Sequence, residues 1–384
     1  MNRERVPAAA VVLVVMALAG VATTAGGQGG PASIEVAFVA NAEDASVAMV
    51  EVAARSLIGS IAVNFAEVVG EGPGAPNYAQ DTDVSPDGRT LYVSRGYLGD
   101  VAAFDIASGR PLWTRPLNTM RADHMTLTRD GRELFVSALV DNRVYRIATA
   151  TGEITGHFAS GVFPHDVKVS ADGRRLFNTS LGPIPTFPLP AGTKPLDTPT
   201  IPVQLTIADA VTLEIRDRIP IDNAIRPWQF TKDESGLYAQ VSNQHAVVFY
   251  DLKARKVTHR LDLPIKEGVR VKDWDFDAPH HGLSLTEDGT TLCLAGRASD
   301  YAALVRAPAL TLLATVPVGD GPGWAETADN GRICLIANSR SDDLSFVSIA
   351  DRKEVLRLPI GNGPKHITIA RVPASVVAEA KARN

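Results

Sequence analysis

The stretch Asp83-Val-Ser-Pro-Asp-Gly-Arg-Thr-Leu-Tyr-Val93 places a short apolar strand, a tight Asp-Gly turn and a second apolar strand in direct succession. Apolar runs on both sides of an Asp-Gly pair are a strong local signal for a β-hairpin. The clearest further copies of this pattern are Met125-Thr-Leu-Thr-Arg-Asp-Gly-Arg-Glu-Leu-Phe-Val136, Val167-Lys-Val-Ser-Ala-Asp-Gly-Arg-Arg-Leu-Phe177, Leu283-Ser-Leu-Thr-Glu-Asp-Gly-Thr-Thr-Leu-Cys-Leu294 and Ala325-Glu-Thr-Ala-Asp-Asn-Gly-Arg-Ile-Cys-Leu-Ile336. Recurrence at a period of roughly 40 residues predicts the blades of a β-propeller.

Each repeat has room for four strands. The strand before the Asp-Gly turn is predicted to be the innermost, and the chain then runs outward through a third strand such as Arg143-Val-Tyr-Arg-Ile147. A fourth strand follows, as in Val355-Leu-Arg-Leu-Pro-Ile360. Alternation with a period of two, bounded by Gly, Asp and Ser turns, is typical of half-buried antiparallel strands. The sequence therefore predicts an all-β, seven-bladed β-propeller with four-stranded antiparallel blades.

The two ends of the repeat array complement each other. The first unit, residues 35–63, supplies three strands and lacks an inner strand, whereas His366-Ile-Thr-Ile-Ala-Arg-Val372 is an inner strand with nothing after it. Placing the last strand beside Val36–Val39 closes the ring and removes the exposed sheet edges of an open array. We therefore expect residues 28–373 to form a propeller closed by the C-terminal strand, followed by a short polar tail at 374–384.

The N-terminal residues predict export. Arg3 and Arg5 precede an apolar run at 11–21 and then small residues, which is the pattern of a secretory signal peptide, assigned here to residues 1–27. The apolar run is too short for a membrane span, and nothing later in the sequence approaches one. We expect a periplasmic or secreted protein that is soluble and monomeric after signal cleavage.

Charge and cysteine content narrow the function further. The net charge of −5 and the absence of a basic stripe along the repeats argue against nucleic acid as a partner. Cys293 and Cys334 fall on opposite faces of equivalent strands in neighbouring blades. Packed sheets lie about 10 Å apart, whereas a disulfide needs Cα atoms closer than about 7 Å. We therefore expect two buried thiols rather than a disulfide.

The repeats also resemble a known family. The run Val84-Ser-Pro-Asp-Gly-Arg-Thr-Leu-Tyr-Val-Ser94, with Val318-Gly-Asp-Gly-Pro322 and Ile360-Gly-Asn-Gly-Pro364, resembles the YVTN-type β-propeller repeat. The resemblance covers nearly all of the mature chain and implies an extracytoplasmic, YncE-like binding protein. More distant similarity is to the propellers of methylamine dehydrogenase, nitrous-oxide reductase and haem d1 nitrite reductase. The resemblance implies a fold more than a function, because propellers host many unrelated activities.

The repeat also predicts which face carries function. The starts of the inner strands lie on one face and the Asp-Gly turns on the other. Six of the eight histidines fall on the first face: His124, His165, His245, His280, His281 and His366. Two long insertions, residues 181–202 and 265–279, reach the same face, and long loops in compact domains are usually functional. We therefore expect the functional site at the mouth of the central channel on this side.

Two binding interpretations fit this mouth. Aromatic and cationic residues suit a small anionic or planar ligand or a periplasmic protein partner. The candidate ligand-binding residues are Asp81, Asp123, Arg226, Trp228, His281, Arg297, Trp324 and Lys365. His124, His165, His281 and His366 are candidate ligands for copper, zinc or iron, since imidazole suits these metals. The histidines have two different offsets from the turn glycines, so their convergence on one ion depends wholly on the fold.

The sequence does not decide whether the protein is an enzyme. A lactonase-type propeller would use His165 with Asp166, or His281 with Asp277 or Arg297, for acid–base work. No nucleophile–base motif supports it, and no Cys-x-x-Cys-His supports a self-contained reductase. A structural role, in which these residues cap strands and bind channel water, is also open. We favour a ligand- or partner-binding protein, with a metal- or haem-linked redox accessory protein as the alternative.

Overall fold

The computed structural model describes residues 32–64, 77–183, 201–274 and 278–383, and in them the repeats form seven four-stranded antiparallel sheets. Blade 1 combines both ends of the array: β1 (Ser33–Asn41), β2 (Ser46–Glu51), β3 (Ser56–Ala62) and β28 (Pro364–Pro373). Blades 2 to 4 are β4 (Asp81–Val84), β5 (Thr90–Ser94), β6 (Asp100–Asp105), β7 (Pro111–Pro116); β8 (Ala122–Leu127), β9 (Glu133–Ala138), β10 (Arg143–Ala148), β11 (Glu153–Ala159); and β12 (Pro164–Val169), β13 (Arg175–Ser180), β14 (Gln204–Asp209), β15 (Ile215–Pro220). Blades 5 to 7 are β16 (Ile225–Phe230), β17 (Gly236–Val241), β18 (Ala246–Asp251), β19 (Lys256–Asp262); β20 (Leu283–Leu285), β21 (Thr291–Gly296), β22 (Tyr301–Arg306), β23 (Thr311–Pro317); and β24 (Pro322–Ala328), β25 (Ile333–Asn338), β26 (Asp343–Ser348), β27 (Lys353–Pro359).

The predicted order of strands within each blade is confirmed. The strand that precedes the Asp-Gly turn is the innermost of its sheet in blades 2 to 7, and the innermost strands of neighbouring blades contact one another around the central channel. The second strands are almost wholly buried, as in β17, whereas an outer strand such as β19 is mostly exposed. The hydrophobic core therefore lies between the blades, because each sheet buries both faces against its neighbours.

The predicted ring closure is also confirmed. β28 pairs with β1 in antiparallel register, with Val36 opposite Ala370 and Val39 opposite Ile367. The chain then continues into a helix, α1 (Ala374–Arg383), whose Val376 and Val377 are buried in the core beneath blades 1 and 2. Short 3-10 helices are present at Gly96–Leu98 and Val271–Asp273. Within the ranges that the structure describes, no helix is long and apolar enough to cross a bilayer.

Register shifts at the start of the inner strands aim side chains into the channel mouth. In blade 3, Ala122 pairs with Ala138 and Met125 with Val136, so two residues, Asp123 and His124, oppose one. The equivalent shifts fall at residues 165–166 in blade 4, 226–227 in blade 5, 323 in blade 7 and 365 in blade 1. Such bulges bend the strand and redirect its side chains. They explain how histidines with different offsets from the turn glycine reach one place.

The expectation of two free thiols is wrong. Cys293 of β21 and Cys334 of β25 form a disulfide between blades 6 and 7, with their Cα atoms 6.0 Å apart. The expected separation of about 10 Å applies to sheets that pack face to face at an even distance. Blades converge towards the channel, so equivalent second strands of neighbouring blades come closer than that. Both cysteines are fully buried among apolar residues of these two blades.

Several predicted features lie outside the described residues. They are the signal peptide at 1–27, residues 184–200 of the first insertion and Asp277 in the second.

Candidate functional site at the channel mouth

Four histidines from different blades meet at the mouth of the channel. The ring of His124 lies 4.5 Å from that of His165, 5.5 Å from His366 and 6.3 Å from His281, measured between centroids. His165 and His281, from blades 4 and 6, have centroids 5.8 Å apart. The four predicted metal ligands therefore share one cluster, which we call the mouth cluster.

Three of these histidines face one another closely enough to hold one ion. One ring nitrogen from each of His124, His165 and His281 lies within 4.8 Å of the other two. A tetrahedral ion with metal–nitrogen bonds of about 2.0 Å would need these atoms about 3.3 Å apart, so side-chain shifts of about 1 Å or less would close the site. Asp81, His124 and His366 form a second group by the same distance. All members of both groups are strongly buried apart from the partly exposed His366.

In two of the histidines, Nδ1 has a hydrogen-bond partner, which leaves Nε2 of the same ring for a ligand. His281 donates from Nδ1 to the backbone carbonyl of Gly323 at 2.9 Å, because a carbonyl oxygen only accepts. His124 Nδ1 lies 2.9 Å from the Asp81 carboxylate, which fixes the ring in the same way. In the described part of the chain, nothing hydrogen-bonds the buried Nε2 of His124 or the buried Nδ1 of His165. These nitrogens are available to a ligand.

Burial keeps two of the three histidines neutral. Desolvation is the main reason that the pKa values of His165 and His281 fall well below the usual range, and neighbouring positive charges add to it. The pKa of His124 behaves differently: desolvation lowers it, but the hydrogen bond and charge of Asp81 outweigh this and raise it. A neutral imidazole is the form that coordinates metal, so His165 and His281 are ready to bind at neutral pH.

Asp81 links two histidines and two strands. Its Oδ2 faces His124 and also accepts a hydrogen bond from the backbone N–H of Met125 at 3.0 Å. Its Oδ1 lies 2.8 Å from His366 Nδ1. Burial opposes ionisation of this carboxyl most strongly, yet the charges and hydrogen bonds of His366 and His124 hold its pKa below the usual value. Asp81 is therefore a carboxylate within a histidine cluster, at a place where it orients imidazole rings.

Trp324 and Asp123 complete the walls of the cluster. The Trp324 ring from β24 lies 4.0 Å from the His366 ring and 5.2 Å from the His124 ring. Asp123 is fully buried and accepts a hydrogen bond from Gln80 Nε2 at 2.8 Å, while its Oδ1 lies 3.8 Å from His124 Nε2. Both residues were predicted for the mouth, and both lie there.

Trp228 is a packing residue of the core, and the carboxylate of Asp166 has polar partners on its own and the next inner strand. Trp228 is fully buried, and its ring packs against Phe177 and Phe230 in the core between blades 4 and 5. Its backbone N–H donates to Asp166 Oδ2 at 3.3 Å, and Asp166 Oδ1 lies 3.6 Å from Lys168 Nζ. The Asp166 carboxylate thus turns to other partners, and its neighbour in sequence, His165, points into the mouth cluster.

The predicted cations surround the same mouth. Arg226 donates from Nε to Ser242 Oγ at 2.8 Å, in the bulge of blade 5. Arg297 follows the end of β21 and Lys365 occupies the bulge beside His366, and both side chains are partly exposed. The charges of Arg297 and Lys365 contribute, after burial, to the lowered pKa of His281. Arg226 and Lys365 therefore occupy the bulges of their inner strands, and Arg297 lies in the segment directly after β21.

The remaining two histidines of this face form a separate pair. His245 Nδ1 lies 3.1 Å from His280 Nε2, which is also 3.2 Å from the hydroxyl of Tyr301. Burial lowers the pKa of His245 to about 4 and that of His280 to about 3. His280 therefore belongs to this pair, whereas its neighbour His281 belongs to the mouth cluster.

Sequence reasoning missed Arg121 and the Gly323 carbonyl. Arg121 Nε lies 3.3 Å from Asp123 Oδ2. Its position two residues before that aspartate could have predicted that it also lies at the mouth. The carbonyl of Gly323 orients His281, and Gly323 lies at the register shift of blade 7. No pattern of residue types predicts a register shift at this position.

Comparisons with known proteins bear on the fold. No family model matches the chain, and no curated protein matches it in sequence. Among solved structures, the periplasmic gluconolactonase of Pseudomonas aeruginosa aligns over 89% of this chain and 100% of its own, with a TM-score of 0.65 and 19% identity. Hydrazine synthase of Kuenenia stuttgartiensis aligns over 81% of this chain and 91% of its own, with a TM-score of 0.63 and 18% identity.

A more distant similarity is to a chain of a mitotic checkpoint complex, with 13% identity, a TM-score of 0.59 and coverage of 79% of this chain and 82% of that one. At these identities the similarities show the propeller fold alone. The resemblance to the YVTN-type repeat stays a prediction from the sequence.

Proposed function

We propose that this protein binds one transition-metal ion, copper, zinc or iron, through His124, His165 and His281 at the mouth of the propeller channel. The observation that carries the proposal is the convergence of one ring nitrogen from each of three buried histidines within 4.8 Å. Desolvated nitrogens without partners are costly unless a ligand satisfies them. Three nitrogen donors suit these metals better than magnesium or calcium, which prefer oxygen.

The partners of the histidines support this assignment. Metal-bound histidines usually donate their second ring N–H to a carboxylate or a backbone carbonyl, which fixes the ring and its tautomer. His124 has this relation to Asp81 and His281 has it to Gly323. A set of histidines that merely capped strands would need no such common orientation.

Three protein ligands leave at least one coordination position for an exogenous group. Metal sites of this composition bind small ligands or carry out reactions on them, unlike structural sites with four protein ligands. The protein is therefore a binding protein or redox accessory protein whose metal site lies at the mouth of the channel. Export follows from the predicted signal peptide, and the Cys293–Cys334 disulfide favours an oxidising compartment.

A lactonase activity is not proposed. The similarity to a periplasmic gluconolactonase reaches the fold, and fold alone does not transfer an activity. His165 and Asp166, one of the acid–base combinations considered from the sequence, face different partners. Asp277, a partner considered for His281, lies outside the described residues.

Metal content tests the proposal directly. The chain from residue 28 is purified with a tag that contains no histidine, loaded with copper, zinc or iron, and measured by elemental analysis and competition with a chelator. We expect one ion per chain, with an affinity at least about 100-fold lower in His165→Gln and in His281→Gln, because each change removes one of three ligands. His259→Gln, on the exposed strand β19, is the matched control and should bind like the wild type.

Circular dichroism and a visible spectrum accompany each measurement. A folded wild-type protein that holds no metal, or folded His165→Gln and His281→Gln proteins that bind it as the wild type does, would contradict the proposal. A haem spectrum in place of a stoichiometric ion would do so too.

A further inference from the structure

A cleft between blades 4 and 5 is separate from the mouth cluster. Its volume is about 370 Å³, which lies within the range of small-molecule sites. It is lined by residues 220–223, which connect the two blades, and by parts of β18 and β19 of blade 5. None of the four histidines of the mouth cluster is among its described lining residues. A ligand in this cleft would therefore be independent of the proposed metal.

Much of the lining is apolar. Val248 of β18 is buried, and so are Ile225 and Val241, which pair with each other at the ends of β16 and β17. Val257 of β19 is 48% exposed, although it lies opposite Tyr250 in the sheet. An exposed valine beside buried apolar side chains leaves apolar surface that a ligand gains affinity by covering.

A buried hydroxyl group in the lining has no partner. Tyr250 of β18 is only 3% exposed, and within the described part of the chain nothing hydrogen-bonds its hydroxyl group. Burial raises the pKa of Tyr250, while the charge of Arg255 lowers it and that of Asp222 raises it. Both of these charged residues also line the cleft. Since a buried polar group without a partner is costly, a ligand that hydrogen-bonds this hydroxyl gains affinity.

A cation lies beside Tyr250 in the sheet. Lys256 lines the cleft and directly precedes Val257, the residue opposite Tyr250. Its side chain is exposed, and no carboxylate of the described residues pairs with it. The charge of Lys256 is therefore left for a ligand.

The other charges of the lining are paired or lie at the other end of the strands. Arg255 pairs with Asp217 at 2.6 Å, and Arg260 pairs with Asp262 at 2.6 Å. Asp222 precedes β16, which starts on the mouth face, whereas Lys256 begins β19 on the opposite face. An anionic group therefore fits best at the Lys256 end of the cleft.

We propose that this cleft binds a small monocarboxylate with an apolar body, whose chain covers Val248 and Val257 and whose carboxylate accepts from the Tyr250 hydroxyl and pairs with Lys256. An acceptor suits both polar groups, because a lysine ammonium only donates and a tyrosine hydroxyl can donate. A wholly apolar ligand would leave the hydroxyl without a partner. The inference goes beyond the proposed metal function and does not depend on it.

Octanoate is the probe, and isothermal titration calorimetry on the chain from residue 28 measures its affinity. Acetate, which lacks the apolar chain, and 1-octanol, which lacks the charge, test the two halves of the ligand. The variants are Tyr250→Phe, which removes only the hydroxyl, and Lys256→Gln. Lys253→Gln is the matched control, since Lys253 is exposed in the same turn between β18 and β19 and does not line the cleft.

We expect one octanoate per chain with a sub-millimolar dissociation constant, and much weaker binding of acetate and 1-octanol. Tyr250→Phe should raise the octanoate constant about tenfold or more, because it removes a hydrogen bond to a charged group. Lys256→Gln should raise it about two- to fivefold, since an exposed ion pair contributes less. Lys253→Gln should bind as the wild type does. Metal-free His281→Gln protein should also do so, because the mouth cluster takes no part.

Three results would overturn the inference. Octanoate does not bind the wild type, or it binds Tyr250→Phe and Lys256→Gln as tightly as the wild type, or 1-octanol binds as tightly as octanoate. Loss of octanoate binding in His281→Gln would also overturn it, because the carboxylate would then be held at the mouth. Circular dichroism checks that each variant is folded, and Lys256→Gln alone decides if Tyr250→Phe is not. None of these results affects the metal function, which metal content tests separately.

Discussion

At the scale of single residues, Asp81 contributes most to the order of the mouth cluster. One carboxylate oxygen faces His124 and accepts from the backbone N–H of Met125 in the neighbouring strand β8. The other faces His366 and accepts from the backbone N–H of Thr82, the next residue in the strand of Asp81 itself. Histidine rings rotate freely unless the second nitrogen has a partner, so an aspartate in this position sets the direction of a metal ligand.

Asp81→Asn should therefore weaken metal binding without removing the site. An amide keeps the size of the side chain but replaces one acceptor with a donor, so it can no longer accept from both histidines. We expect the metal affinity to fall about 10- to 100-fold, while one ion per chain is still bound at saturation. Competition with a chelator gives the affinity, and elemental analysis gives the number of ions.

Asp130→Asn is the matched control, because Asp130 lies in the exposed Asp-Gly turn of blade 3, on the opposite face from His124. It should leave the affinity unchanged. Equal affinities in Asp81→Asn and the wild type would mean that Asp81 does not position His124.

The identity of the candidate residues was readable from the sequence, but their grouping was not. The repeat placed His124, His165, His281 and His366 on the correct face, because position relative to the turn glycine follows the chain. It did not show that His280 joins His245 instead, since that depends on which way each side chain points.

At the scale of strands, the bulges and the disulfide show where neighbouring elements overrule a regular pattern. The bulge at Asp123 and His124 changes the register by one residue, and in a strand of period two such a shift moves a side chain to the other face. The different offsets of the histidines from the turn glycines suggested side chains that point in different directions. The bulges bring these side chains together in spite of the different offsets. Nothing in the residue types of the strand start distinguishes a bulge from a regular pair.

The Cys293–Cys334 disulfide should be a major source of stability. It joins residues 41 apart, and closing a loop of this length in the unfolded chain is worth about 4 kcal/mol. We expect Cys293→Ala with Cys334→Ala to lower the free energy of unfolding by about that amount, measured by urea unfolding. Alanine is chosen because both sites are apolar, so no hydroxyl is left buried without a partner.

Reduced wild-type protein is the control, and its unfolding midpoint should lie close to that of the double variant. If unreduced, denatured wild-type protein reacts with two equivalents of a thiol-alkylating reagent, the bridge does not form in solution.

At the scale of the whole molecule, the closing strand joins the two ends of the propeller. β28 supplies the inner strand of blade 1 and also carries His366 into the mouth, so ring closure and site assembly depend on the same element. The helix that follows adds Val376, Val377 and Ala380 to the core.

Two truncations should separate these contributions. Removal of residues 374–384 should leave a folded monomer whose free energy of unfolding is lower by about 3 kcal/mol, because buried valines are lost. Removal of residues 364–384 should prevent formation of a stable monomer, because β1 is left as an unpaired edge that associates with other chains. Thermal unfolding and size-exclusion chromatography distinguish the two. A cooperative, monomeric 28–363 protein as stable as the protein that lacks only residues 374–384 would show that the closing strand is dispensable.

The sequence by itself determined the number of blades, the order of strands in each blade, the closure of the ring and the face that carries the histidines. These features follow from turn residues and alternating apolar residues, which act within a few positions along the chain. The tertiary structure alone decided the Cys293–Cys334 disulfide, the fixed orientation of His281 by Gly323 and the meeting of blades 3, 4 and 6 at three histidines. These depend on how closely blades converge at the channel and on one-residue bulges, and both arise from packing between segments that are far apart in sequence.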